Sequence, residues 1–284
     1  MQSANLARMM LPKLGIIAGG GTLPLDIINE CKRIKRPYFV IALIGHTQLE
    51  TVIDTPHFWA RLGAAGKAIT ILHKQEVTEL VMVGAVTRPS LLQLWPDFWT
   101  IIFFARTGIA NKGDDRFLTA LIDVLEKIEK FRVIGIHSLL PHLLAPEGVY
   151  GNTKPSENEM LNIEIAWTAA LELGRLDIGQ AAIARAGKVV AKESASGTAN
   201  MISSLNLNTG SSQSGVLVKV SKPGQEQRAD LPTIGPDTIK QVSLAGLAGI
   251  VIESGNSLVL DKEITIKAAN DAGIFILGRS NVEY

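Results

Sequence analysis

The sequence predicts an α/β protein of two α/β domains, and three observations carry that prediction. Short apolar runs of strand length alternate with amphipathic stretches of helix length along the chain. A strand, glycine turn, helix, strand unit opens it at Lys13–Ile44. A proline- and glycine-rich stretch, Leu140–Ser156, interrupts the alternation near the middle. At 284 residues the chain suits two domains of ordinary size, and its 46% hydrophobic and 19% charged content is that of a well-packed globular protein. The expected division is 1–140, a linker at 141–156, and 157–284.

Lys13–Gly19 reads as a buried strand running into Gly19-Gly20-Gly21, with a helix over about Leu23–Lys35 and a second buried strand at Tyr38–Ile44. This order makes the N-terminal domain Rossmann-like and nucleotide-binding. Glycines suit such a turn because backbone N–H groups and a helix N-terminus then approach a phosphate. The run is no G-x-G-x-x-G fingerprint, since Pro24 stands where the last glycine belongs, and no P-loop lysine follows. A tight turn with no ligand is the alternative. Phe58–Ala64 follows as a short strand, Lys67–Gln75 as a helix and Glu79–Val86 as a buried strand ending in Thr87-Arg88-Pro89. Ligands of open α/β sheets bind outside the carboxyl ends of strands, so Gly19, Gly20, Gly21 and Arg88 are candidates for one crevice.

Leu91–Ile109 holds the aromatic concentration of the chain, and its spacing predicts a buried helix. An apolar wall for a greasy ligand and a segment at a membrane interface are the competing readings. Asn111–Asp115 opens an amphipathic helix reaching about Lys130, with Asp114 or Asp115 as N-cap. The same paired carboxylates are candidate Mg²⁺ ligands. Arg132–Leu139 reads as the last strand of this half, with His137 inside it as a core residue.

The second half opens with a helix at Glu157–Leu173, then GRLDIGQ at 174–180 and a hairpin, Ala181–Ala186 and Val189–Glu193, turning at Gly187. A helix near Thr198–Leu205 and a polar loop, Asn206–Ser214, come next. Strand Val216–Val220, a charged loop, helix Pro236–Ala245, strands Ala248–Ile252 and Ser257–Leu260, helix Lys262–Ala272 and strand Ile274–Leu277 complete an α/β domain.

A formal net charge of +1 excludes a general nucleic-acid binder, so any anion site must be a local cluster. The single cysteine, Cys31, excludes an intramolecular disulfide, and reads as a small core residue. No window offers the roughly 20 apolar residues of a membrane span, and the first eleven residues lack the long apolar region of a secretory signal. The expectation is a cytoplasmic protein, with contact at a membrane surface left open.

The local cluster is Lys219–Gly235, KVSKPGQEQRADLPTIG, a strand that leaves its sheet and turns at Pro223-Gly224. Lys219 and Lys222 supply point charges for phosphate oxygens, and Arg228 a bidentate fork. Asp230, just before Leu231-Pro232, is kept ionised by these cations and is available to bind a metal or orient a water. A solvated basic loop, with Asp230 merely paired to a neighbour, is the alternative.

AGGGTLP at 18–24, GAVTRP at 84–89, KGDD at 112–115, GRLDIGQ at 174–180, KPGQEQRADLPTIG at 222–235 and AGLAGI at 245–250 occur in that order. Together they resemble the LpxI-type UDP-2,3-diacylglucosamine pyrophosphatases, from about Lys13 to Gly278. The resemblance implies cleavage of UDP-2,3-diacylglucosamine to UMP and 2,3-diacylglucosamine 1-phosphate in lipid A biosynthesis. It implies dependence on a divalent metal, typically Mg²⁺, water attack on the α-phosphorus, and two domains enclosing the lipid-linked UDP-sugar substrate. The family's essential aspartate matches Asp230, as catalytic residue and candidate metal ligand; the candidate substrate-binding set adds Asp177, Gln180, Thr198, Gln225 and Thr233 to the glycines and cations already named. The chain departs from the family in its more polar NLNTGSSQS stretch. A membrane-borne substrate implies transient contact with the inner face of the inner membrane, and a homodimer is a further expectation. The competing readings are a non-catalytic nucleotide-lipid binding protein, which Asp230 among cations opposes, and a nicotinamide-dependent oxidoreductase, which the broken glycine pattern and the absence of an acidic residue at Ile44-Gly45-His46 oppose.

Overall fold

The computed structural model describes residues 11–87, 94–108, 114–194, 196–205 and 213–281, with the side chains of 114 and 115 outside that description. The chain divides into two compact units, Met1–Leu140 and Pro141–Tyr284.

The first unit carries β1 (Leu14–Ala18), α1 (Leu23–Arg33), β2 (Tyr38–Leu43), α2 (Leu49–Val52), β3 (His57–Ala60), α3 (Ala65–Lys74), β4 (Glu79–Val83), α4 (Phe98–Thr107), α5 (Asp114–Lys127), β5 (Arg132–Val133) and α6 (Ile136–Leu139). Its five-stranded sheet runs in the order β3-β2-β1-β4-β5, and every pair is parallel. The order reverses at β1, so the carboxyl ends of β1 and β4 flank the switch point where doubly wound sheets take ligands. Strands buried on both faces explain the near-continuous apolar runs that made them legible.

Two expectations for this unit are corrected. The run read as a strand to Leu139 pairs only at Arg132–Val133; Gly135 then caps the short helix α6, which carries His137, and the His137 ring fills the space where a Cβ on Gly135 would stand. The aromatic segment forms α4, with the Asp97 carboxylate accepting the Thr100 N–H at its start and left-handed Gly108 at its end. It is not a buried helix: Phe103 is buried, but Phe98 and Ile101 are 78% and 52% exposed, and Trp95, ahead of the helix, is 73% exposed. Helical spacing reports an apolar stripe, and the packing decides whether anything covers it. The N-cap reading of Asp114 and Asp115 lies outside the described residues.

The second unit carries a 3-10 turn (Pro141–Leu143), β6 (Gly148–Tyr150), α7 (Glu157–Arg175), β7 (Ala181–Arg185), β8 (Lys188–Lys192), α8 (Gly197–Ser203), β9 (Val216–Lys219), β10 (Thr233–Ile234), α9 (Pro236–Leu244), β11 (Gly249–Glu253), β12 (Leu258–Val259), α10 (Lys262–Ala272) and β13 (Phe275–Arg279). A six-stranded sheet runs β6-β13-β11-β9-β7-β8, parallel across β13, β11 and β9 and antiparallel elsewhere. β10 and β12 form a separate parallel pair. The stretch read as a linker is built into this unit, since β6 pairs with β13 as the sheet's edge.

Strand alternation splits the core in two. Ala182, Ala184, Val216, Val218, Val251 and Phe275 pack with Ile163, Trp167 and Ala170 of α7. Ala181, Ile183, Leu217, Ile250, Ile252 and Ile276 point the other way, onto Met201, Ile239, Val242 and Ala269 of α8, α9 and α10. The hairpin between β7 and β8 turns through Ala186 and Gly187, at φ 50° and 73°, the pair of left-handed residues a two-residue turn requires.

Candidate active site

The parallel strands of the second sheet end together. Lys219 closes β9 and Glu253 closes β11, at the carboxyl edge where α/β sheets expose their chemistry. The departing chain is tied down at once. Val220 N–H donates to Gln180 O at 2.9 Å, and the Ser221 N–H and hydroxyl both donate to Glu253 Oε2, at 2.8 and 2.6 Å. Gln225 N–H donates to Lys222 O at 3.0 Å, with Gly224 at φ +75°, so Pro223-Gly224 takes the type II geometry their order favours. The Ala229 and Asp230 amides then both donate to Glu226 O, each at 3.0 Å.

This folding turns one side chain of the charged loop inward. Gln225 is only 7% exposed and acts as a clamp. Its Nε2 donates to Asp230 Oδ2 at 2.6 Å and reaches Gln180 Oε1 at 3.5 Å, while its Oε1 accepts the Lys222 N–H at 2.8 Å. One Asp230 oxygen is therefore oriented by an amide, and Oδ1 has no hydrogen-bond donor among the described residues.

Lys219 is largely buried, and its Nζ donates to Thr233 O at 3.2 Å. Burial pushes its ammonium below the ordinary lysine range, and the carboxylates of Glu193 and Asp230 pull it back. Glu193 is a residue that the sequence reading missed. It is buried, accepts the Gln180 N–H at 2.7 Å on Oε2, and accepts the Thr198 hydroxyl on Oε1. Gly179 is glycine because a Cβ there would lie 2.9 Å from Glu193 Cβ and 3.0 Å from its carbonyl oxygen. Glu253, also missed, is 2% exposed and holds Ser221 and, at 2.9 Å, Asn256 Nδ2. Both glutamates follow or end apolar strands, a position that reads as a strand terminus and gives no chemical signal in sequence.

Through Gln225, Glu193 and Lys219, the structure joins Gln180, Thr198, Lys219, Gln225, Asp230 and Thr233 in one cluster. Lys222 and Asp177 adjoin it, but as partners of each other, at 3.0 Å. Arg228 closes on Glu226 through both Nε and Nη2, at 2.7 and 2.8 Å. Each of these cations is thus paired with a carboxylate and keeps further N–H donors that a phosphate could take.

In the first unit, Gly19 and Gly20 spend their amides on β4 and the chain just after it, donating to Val83 O and Ala85 O, each at 2.8 Å. A Cβ on Gly19 would stand 2.7 Å from Ala85 O, so this glycine serves close approach of two strands. Gly21, at φ +88° with open space beside it, begins the turn into α1, a helix N-terminus of the kind that suits an anion. Arg88 lies outside the described residues, as do the side chains of Asp114 and Asp115.

No three His, Cys, Asp or Glu side chains converge as a metal site among the described residues. A magnesium ion commonly needs fewer, because it keeps waters and takes phosphate oxygens of its substrate. Asp230 Oδ1 fits that requirement.

Fold and site together define a two-domain α/β protein whose second domain presents a desolvated lysine and an oriented aspartate at the ends of its parallel strands. Residues 13–143 match the LpxI N-terminal domain and residues 146–277 the LpxI C-terminal domain, and the chain belongs to the LpxI family. Among curated proteins it is similar to the UDP-2,3-diacylglucosamine pyrophosphatase LpxI of Caulobacter vibrioides, at 37% identity over 273 residues, which cover 94% of this chain and 97% of that protein.

Proposed function

We propose that this chain hydrolyses UDP-2,3-diacylglucosamine to UMP and 2,3-diacylglucosamine 1-phosphate, a hydrolase step of lipid A biosynthesis. The observation that carries the reading is Asp230, oriented on one oxygen by Gln225 and open on the other, in the electrostatic reach of Lys219. The name of the Caulobacter relative supports the substrate. Water attacks the α-phosphorus, the bond from that phosphorus to the bridging oxygen breaks, and the bridging oxygen leaves with the lipid phosphate. Lys219, fixed through Thr233 O, opposes the negative charge that grows on the diphosphate. Asp230 Oδ1 either orients the attacking water or holds Mg²⁺, which when bound supplies charge neutralisation. The Gly21 turn is the candidate holder of nucleotide phosphate in the first unit.

No helix among the described residues is long and apolar enough to cross a membrane. Exposed Trp95, Phe98 and Ile101, three residues apart, support transient contact with a membrane surface that presents the substrate.

The test is turnover of UDP-2,3-diacylglucosamine in ¹⁸O-water, with Mg²⁺ or a chelator, for the native chain and Asp230→Ala. Label in UMP, metal dependence and a loss of at least about 10²-fold in the variant support the proposal. Tight lipid binding without turnover would replace it with a non-catalytic nucleotide-lipid binding protein, and label in the lipid phosphate would move the attack to the other phosphorus.

A further inference from the structure

Strands β8, β7 and β9 lie side by side, and one row across them is chemically unusual. Glu193 N–H donates to Ala181 O at 2.9 Å, and Ala181 is paired in register with Lys219. Cross-strand partners share a face, and Ala181 belongs to the face that packs on α8, α9 and α10. Glu193 and Lys219 thus flank Ala181 on one face, about 10 Å apart at the backbone from two strand spacings. Ala181 between them contributes only a methyl group, and the two flanking residues carry opposite charge. Among the described residues Glu193 makes no ion pair within 4.0 Å; its two oxygens take the Gln180 amide and the Thr198 hydroxyl.

We propose that Glu193 is a positioning residue of the hydrolytic reaction: its negative charge holds Lys219, while its two oxygens lock Gln180 and Thr198 to the same carboxylate. The inference rests on the pyrophosphatase reading above and assigns the reaction a residue outside the charged loop. A buried ammonium needs opposing charge to stay ionised, and the groups that act on Lys219 are Glu193, Asp230 and the Thr233 carbonyl. Asp230 has work at the substrate, so Glu193 is the carboxylate left to hold the lysine throughout the cycle.

Glu193→Gln separates charge from shape. The amide oxygen still accepts the Gln180 N–H, and the amide NH₂ donates to a Thr198 hydroxyl that has rotated to accept it. The expected result is a native melting temperature within a few degrees, a kcat lowered at least about tenfold, and a smaller change in KM. In a Lys219→Met background the same substitution should change kcat less than about twofold, because residues acting through one another are not additive. Glu193→Asp, which keeps the charge, should retain more activity than Glu193→Gln. Turnover of Glu193→Gln within about twofold of native, an equal loss with and without Lys219, or Glu193→Asp falling below Glu193→Gln would each overturn the proposal. Absence of turnover in the unsubstituted chain would instead overturn the pyrophosphatase reading, and this inference with it.

Discussion

Gln225→Leu is the substitution that most directly examines how the site is built. It keeps the side chain's bulk and removes its three polar contacts: to Asp230 at 2.6 Å, to the Lys222 amide at 2.8 Å and to Gln180 at 3.5 Å. The first is a hydrogen bond to a charged acceptor, worth about 1.5–3 kcal/mol. The third is at the limit of hydrogen-bond length and adds little. If the orientation of Asp230 is realised fully in the transition state, that loss lowers kcat by about 10- to 150-fold. Losing the bond to Asp230 and freeing the half-buried Lys222 amide should together lower stability by about 2–4 kcal/mol in a thermal melt. The assay is initial-rate release of UMP from UDP-2,3-diacylglucosamine, with the melt recorded on the same preparation. Gln225→Glu gives the complementary reading: its carboxylate still accepts the Lys222 N–H but faces Asp230 with like charge, so it should be at least as impaired as Gln225→Leu. Turnover of Gln225→Leu within about twofold of native would refute the clamp, since Asp230 would then be oriented without it.

Three further outcomes come from elsewhere in the fold. Gly19→Ala places a Cβ 2.7 Å from Ala85 O and 2.8 Å from the Gly84 carbonyl carbon, both backbone, and should lower stability by about 1–3 kcal/mol in a thermal melt. Gly21→Ala meets open space, and only its left-handed φ of +88° opposes it, at roughly 1–2 kcal/mol. The Tyr150 phenol donates to Pro146 O, and burial pushes it up to about 12 from 10.0. The unfolded chain therefore loses this proton first, so the stability from the neutral phenol is full below pH 10 and falls as pH rises toward 12. Ultraviolet titration of tyrosinate should show one group ionising late, and Tyr150→Phe should flatten that loss of stability.

The sequence by itself determined the α/β class, the parallel strands of the first unit and most helices, because those rest on local period. The helix at Lys262–Ala272 and the hairpin turn at Gly187 are legible for that reason: a 3.6-residue period with a glycine stop, and a glycine where φ must be positive. It also marked Asp230 and Gln225, whose polar surroundings stand out along the chain. Tertiary structure alone decided the rest. β10, two residues long, is too short for any period to register, and the partner of the strand read at Ser257–Leu260 is set only by the fold. The aromatic stripe of α4 is the same string whether covered or bare, and only packing left Phe98 exposed. His137 lies in a short helix because strand pairing stops at Val133 and a helix starts after Gly135. The pairing of Lys222 with Asp177, 45 residues apart in sequence, is likewise set by the fold. Glu193 and Lys219 are separated by a strand end, a helix and a loop in sequence, and share a site only because β7 lies between β8 and β9 with an alanine in the row. Periodicity is written between neighbours in the chain; the adjacency of strands, and with it the burial that makes a lysine depend on a distant carboxylate, is set by which faces the core must cover.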